Sequence, residues 1–154
     1  YLDILREFFQ KLSLRFNFRL VIISDFDYYL PGVNLKVIKW KKESEIEDLA
    51  NIDIGVYPLP YDDWVSGKSG LKALQYMAMG LPTVASNVGN IKNVISDGYD
   101  GFLVNNFIEW ESRIIELINN KSLREKIGLN ARKTVEDNFS INANSEKYLN
   151  VLIN

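Results

Sequence analysis

Neither cysteine nor histidine occurs anywhere in this chain. The first absence excludes disulfides, thiolate metal sites and cysteine nucleophiles. The second closes histidine-dependent serine triads and most zinc sites. A basic excess is lacking too: 18 Lys and Arg face 20 Asp and Glu, a formal charge of −2. Non-specific binding to duplex nucleic acid needs a basic stripe, so no nucleic-acid partner is expected. No apolar run approaches the roughly 20 residues that cross a bilayer. The first residues read as an amphipathic helix rather than a signal peptide. The chain opens on Tyr1 rather than Met, and we read it as a piece of a longer, cytoplasmic protein.

What is present suffices for one domain, residues 1–154, since 47% of them are hydrophobic. Leu2, Leu5, Phe8, Phe9 and Leu12 recur at helical spacing and predict a helix over about 1–14. Apolar runs predict strands at 19–25, 34–40, 53–58, 83–85 and 101–104. Ser44 with Glu47 three residues on predicts a capped helix through Ala50. A loop over 59–69 precedes a helix at about 70–79, with a turn at 87–89, a short helix at 90–96 and a turn at Asp97-Gly98. The remainder is helical. Phe107, Trp110, Ile114 and Leu117 share one face, Leu123, Ile127, Ala131 and Val135 another, and Tyr148, Val151 and Leu152 close the last helix. Apolar strands alternating with helices predict an α/β fold with a parallel sheet covered on both faces.

The most informative stretch runs from Ser66 to Ser86. A glycine-flanked loop opens a helix, Gly80 stops it, and Pro82 starts an apolar strand. Such a loop aims backbone N–H groups and the positive end of a helix dipole at one spot, which suits a phosphate. Ligands of doubly wound sheets sit outside the carboxyl ends of the strands, so loops 59–69 and 86–90 should share that edge. Ser69, Gly70 and Leu71 offer N–H groups to an anion. Lys68 and Lys72, four residues apart, would share a side and add positive charge. At about 100° per residue, Leu71, Leu74 and Ala78 form the buried stripe, with Gln75 at its edge. An amide there exchanges hydrogen bonds with paired hydroxyls such as those of a ribose.

A loop of this kind is a weak signal by itself. Its glycines serve tight turning and close packing equally well, and lysines on a helix usually form a solvated face. Trp40 reads as lining a base pocket or as rim packing. Tyr57, Tyr61 and Trp64 stack on a sugar or simply pack the loop. Asp25, Asp27, Asp62 and Asp63 read as solvated loop acids. No metal and no cofactor is expected.

From residue 19 to 153 the chain resembles the C-terminal, nucleotide-sugar-binding domain of retaining GT-B glycosyltransferases of family 4, the glycosyl transferases group 1 type. The segments that carry the resemblance are Asp53-Ile-Gly-Val-Tyr-Pro58, Met77-Ala-Met-Gly-Leu-Pro-Thr-Val-Ala-Ser86, Asn87-Val-Gly-Asn90, Asp97-Gly-Tyr-Asp-Gly-Phe-Leu-Val104, Asn130-Ala-Arg132 and Phe139-Ser140. The resemblance implies a Rossmann-like parallel sheet with helices on both faces, one half of a GT-B fold, with the first strand missing here. It implies an N-terminal acceptor-binding domain in the same parent chain. The activity implied is metal-independent, retaining hexosyl transfer from a nucleoside diphosphate sugar to a polysaccharide, glycolipid or glycoprotein acceptor. Peripheral membrane association would run through the missing half.

By position, the resemblance assigns Gly67, Lys68, Ser69, Gly70, Leu71 and Lys72 to the donor's sugar and phosphates, and Gln75 to its ribose. Gly67 and Gln75 stand where the family carries a pair of Glu residues. The sugar contact then falls to Lys68 or Ser66 or is missing, and Asn93 also replaces a frequent Glu. No catalytic residue is assigned. The family's opening strand and turn, with an Arg and a Lys for the pyrophosphate, would precede Tyr1. This piece alone is therefore expected to bind nucleotide sugars weakly and to be inactive. Two alternatives stay open, a non-catalytic nucleotide-sugar-binding domain and a GT-B-fold nucleotide-sugar epimerase.

Overall fold

Strands and helices alternate along the chain in the computed structural model, which describes residues 1–153 apart from the side chains of Ser66 and Lys147. The strands are β1 (Leu20–Ser24), β2 (Leu35–Lys39), β3 (Gly55–Tyr57), β4 (Thr83–Ser86) and β5 (Phe102–Val104). The helices are α1 (Arg6–Ser13), α2 (Glu45–Ala50), α3 (Asp63–Ser66), α4 (Leu71–Ala78), α5 (Phe107–Asn119), α6 (Lys121–Asn138) and α7 (Ile141–Ile153). Every strand pairing is parallel, with Leu20 opposite Leu35, Gly55 opposite Thr83, and Val84 opposite Phe102.

The central strand shows why both faces must be covered. Successive strand side chains point to opposite faces, and all four residues of β4 are buried. Val84 enters one core with Leu5, Phe8, Phe9 and Leu12 from the N-terminal helical segment and Trp110, Ile114 and Leu117 from α5. Its neighbour Ala85 enters the other, with Ala73 and Met77 of α4, Ile91, Val94 and Ile95 of the following segment, and Ala131 of α6. Helices thus flank the strands on both sides, as the sequence pattern requires.

The strands do not form one continuous sheet. β1 and β2 make one sheet, and β3, β4 and β5 in that order make another. Leu20, Ile22 and Leu35 of the first nevertheless share a core with Val56, Val84 and Phe102 of the second. One edge of β1 and one edge of β3 therefore lack a strand partner among the described residues.

Several local expectations are corrected. The helix predicted over 1–14 begins as a 3₁₀ turn over Leu2–Leu5, and the short helix predicted over 90–96 is a 3₁₀ turn over Gly89–Asn93. The loop 59–69 contains α3, because the Asp62 carboxylate accepts the Val65 N–H at 2.7 Å and caps that turn. Asp62 is therefore a helix cap, and it remains exposed as read. Ser44 precedes α2 but forms no capping box. Its backbone is already helical (φ −106°, ψ −4°), and its hydroxyl donates instead to Asp48 Oδ2 at 2.8 Å. Phe107 is 41% exposed, unlike buried Trp110, and meets the core through an edge-on contact with Phe8.

Close backbone approach fixes α4. Gly128 of α6 lies against the carbonyl oxygen of Gly80, where a side chain would collide. Arg132, one turn further along α6, donates to the Ala78 carbonyl at the end of α4. At the far end of the chain, Tyr148, Val151 and Leu152 of α7 are exposed. Among the described residues no helix is long and apolar enough to cross a membrane.

Candidate functional site

The loop after β3 reaches α4 through Gly70, whose φ of +83° lies in the left-handed region. A residue with a Cβ loses roughly 1–2 kcal/mol there. That Cβ would also meet Ile91 Cδ1 at 3.0 Å and Val94 Cγ2 at 3.1 Å. Glycine is thus required at 70. It leaves the start of α4 without a side-chain cap, so the N–H groups of the first turn keep their capacity to donate. Gly67 differs: its φ of −81° is ordinary, and a Cβ would meet only the Trp64 carbonyl oxygen at 3.7 Å. The side chain of Ser66 lies outside what is described.

The loop after β4 touches the same place. Asn90 Nδ2 donates to the Ser69 carbonyl at 3.2 Å, and Asn93 Nδ2 donates to Asn90 Oδ1 at 2.8 Å. The two loops therefore meet on the carboxyl edge of the strands. On that edge a cleft of about 430 Å³ is lined by Ile23, Ser24, Asp25 and Phe26 at the end of β1, Trp40 at the end of β2, and Lys72 of α4. Asp25, read from sequence as a solvated loop acid, is exposed but lines this cleft. A second, smaller hollow of about 290 Å³ lies where Leu59, Ser86 and Asn105 come together.

Glu45, the first residue of α2, draws the cleft's side chains together. Its Oε1 accepts from Trp40 Nε1 at 3.2 Å and from Gln75 Nε2 at 3.2 Å, and it lies 3.8 Å from Lys72 Nζ. The sequence reading missed Glu45. Only its place behind a loop at the carboxyl end of a strand could have signalled it, because its partner Gln75 is 30 residues away.

Two expectations about α4 fail. Its buried residues are Ala73 and Met77, while Leu71 is 59% exposed. The Tyr76 ring sets this roll by packing on Gly55, where a Cβ would lie 2.7 Å from Tyr76 Cδ2. Lys68 and Lys72 also diverge. Lys68 Nζ stands 4.6 Å from the centre of the Tyr1 ring, whereas Lys72 pairs with Glu45. Lys68 precedes the helix, so helical spacing does not govern it. Tyr57 is half-buried, and burial raises its phenol pKa against the opposing charge of Lys68. Trp64 is 81% exposed, while the Tyr61 hydroxyl donates to the Val104 carbonyl at 3.3 Å.

With this geometry in place, the relatives are informative. A model of the family described as "Glycosyl transferases group 1" matches residues 6–134. The capsular polysaccharide biosynthesis glycosyltransferase CapM of Staphylococcus aureus is 31% identical over 121 residues, which span 77% of this chain and 30% of CapM. The chain thus spans less than a third of that relative's length. A solved glycosyltransferase from Rickettsia africae superposes with a TM-score of 0.77 at 22% identity, over 97% of this chain and 42% of that one. Anabaena HepE, solved in complex with UDP-glucose, superposes at 0.61 with 19% identity, over 80% of this chain and 33% of HepE. A parallel α/β unit with helices on both faces, matched across most of its length, settles the assignment: the chain belongs to the group 1 glycosyl transferases, an enzyme family, and has the fold of a Rossmann-like half of a GT-B protein.

Proposed function

We propose that residues 1–154 are the donor-binding domain of a retaining glycosyltransferase that takes its sugar from a nucleoside diphosphate. The observation that carries this reading is the uncapped start of α4 behind left-handed Gly70, on the strands' carboxyl edge beside the cleft. Ser69, Gly70 and Leu71 donate main-chain hydrogen bonds to the diphosphate, and the helix dipole and Lys72 offset its charge. That is the work a metal ion would otherwise do. Gly67 and Lys68 border the sugar, Gln75 meets the ribose, and Trp40 flanks the base. An N-terminal domain of the parent chain supplies the acceptor site and any membrane contact. A strand from the parent pairs between the open edges of β1 and β3. The acceptor is a polysaccharide, glycolipid or glycoprotein precursor.

The test uses the full-length parent with UDP-, GDP- and ADP-sugars. Calorimetry is expected to find one that binds, and Lys72→Ala and Gln75→Ala each to weaken it about five- to tenfold. NMR of the product is expected to show the donor's anomeric configuration retained. Binding unaffected by either substitution would remove the site assignment. Binding without transfer would leave a binding domain only.

A further inference from the structure

We propose that Glu45 and Gln75 act as one acceptor pair for the vicinal hydroxyls of the donor's ribose; the inference rests on the nucleotide reading above. A ribose presents two adjacent hydroxyls, and two acceptor oxygens side by side would hold both as donors. Gln75 brings one amide oxygen, with its NH₂ engaged by Glu45, so a second acceptor oxygen comes from another residue. The hydrogen bond to Glu45 settles the orientation of that amide. A carboxylate only accepts, so the Gln75 NH₂ faces Glu45 Oε1, and the amide oxygen is left to accept from elsewhere.

Glu45 is arranged to match. All three of its contacts, from Trp40, Gln75 and Lys72, fall on Oε1. Among the described residues no hydrogen bond reaches Glu45 Oε2 or the Gln75 amide oxygen. Neither atom is sealed in, because no buried side-chain oxygen lacks a partner. Two unspent, reachable acceptors therefore stand on residues joined by a 3.2 Å hydrogen bond. Gln75 lies four residues beyond Leu71, about 6 Å along the helix, roughly the reach from a 5′ phosphate to the 2′ and 3′ hydroxyls. Trp40 and Lys72, bound to the same Oε1, line the cleft itself. The pair carries the charge that Gln75 lacks, from a different helix.

The experiment compares ribose with deoxyribose in the full-length parent. UDP, GDP, ADP and dTDP are first screened by calorimetry, and the ribonucleotide that binds is then compared with its 2′-deoxy counterpart. The wild type is expected to lose about tenfold or more on deoxygenation. In Glu45→Gln, affinity for the ribonucleotide should fall about as far, and the ribose preference should shrink to less than about threefold. Gln75→Met, which keeps volume but deletes the amide oxygen, should shrink it independently should Glu45→Gln fail to fold. A preference unchanged in both variants, or a wild type that prefers dTDP, overturns the inference and leaves the nucleotide site standing. Binding of none of the four removes both readings.

Discussion

Gly128 on α6 faces the carbonyl oxygen of Gly80 so closely that no side chain fits between the two backbones. The contact joins α6 to the turn that ends α4. Gly128→Ala must move one backbone or the other. Overpacking of this kind costs about 1–3 kcal/mol. A lower midpoint of thermal unfolding, by roughly 2–4 °C per kcal/mol, is the expected readout. An unchanged midpoint would show that the two segments separate freely.

The two loop glycines should respond in opposite ways. Gly70→Ala meets both a left-handed φ of +83° and the side chains of Ile91 and Val94. A loss of about 1–3 kcal/mol is expected, together with weaker nucleotide binding. Gly67→Ala meets neither obstacle, and removing a glycine at a compatible φ stabilises by about 0.4–1 kcal/mol. Denaturant midpoints of the two variants decide the matter, and equal losses would contradict it.

Asp100 is fully buried and spends both oxygens, Oδ1 on the Ser96 N–H at 2.7 Å and Oδ2 on the Thr134 hydroxyl at 2.8 Å. It ties the turn before β5 to α6. Asp100→Ala strands a backbone donor and should cost about 1–3 kcal/mol. Asp100→Asn keeps one acceptor for Ser96 and can donate to Thr134, so its loss should be smaller. Urea unfolding of both variants gives the order, and a milder alanine would refute this account.

Acid should loosen the start of α5. Glu109 accepts from the Asn105 backbone N–H at 2.8 Å, from Asn105 Nδ2 at 3.0 Å and from Asn106 Nδ2 at 2.8 Å. These bonds, the backbone one first, hold its carboxyl below the usual glutamate range. A carboxyl whose pKa is lower folded than unfolded stabilises the fold above the unfolded value, near ~4.3. That contribution is lost as pH falls through the folded value. Stability measured between pH 6 and pH 3 should therefore fall less steeply in Glu109→Gln than in the wild type. Parallel curves would exclude the group.

This last site also shows how far local sequence can be read. Ser44-x-x-Glu47 has the capping-box pattern and forms no such cap, whereas Asn106-x-x-Glu109 forms a close variant, with Glu109 reaching back to the Asn106 side-chain amide and the Asn105 N–H. A capping residue needs an extended backbone. Asn106 has it (φ −152°, ψ 172°), so its side chain accepts the Glu109 N–H at 3.0 Å while Glu109 reaches back. Ser44 sits in a chain that is already turning, with its N–H bonded to the Lys41 carbonyl at 3.3 Å. The residue types match in both cases, and the backbone on the N-terminal side decides between them.

The order of the five strands and the parallel α/β character could be read from the chain, because apolar periodicity acts within a few residues. The tertiary structure alone decided that Ala73 and Met77 face inward, that the strands pair as two sheets, and that Glu45 joins Trp40, Lys72 and Gln75. Each of these depends on contacts between segments distant in sequence, such as Tyr76 on Gly55 and Gly80 on Gly128. Such contacts are set by shape and close packing, which no local pattern records.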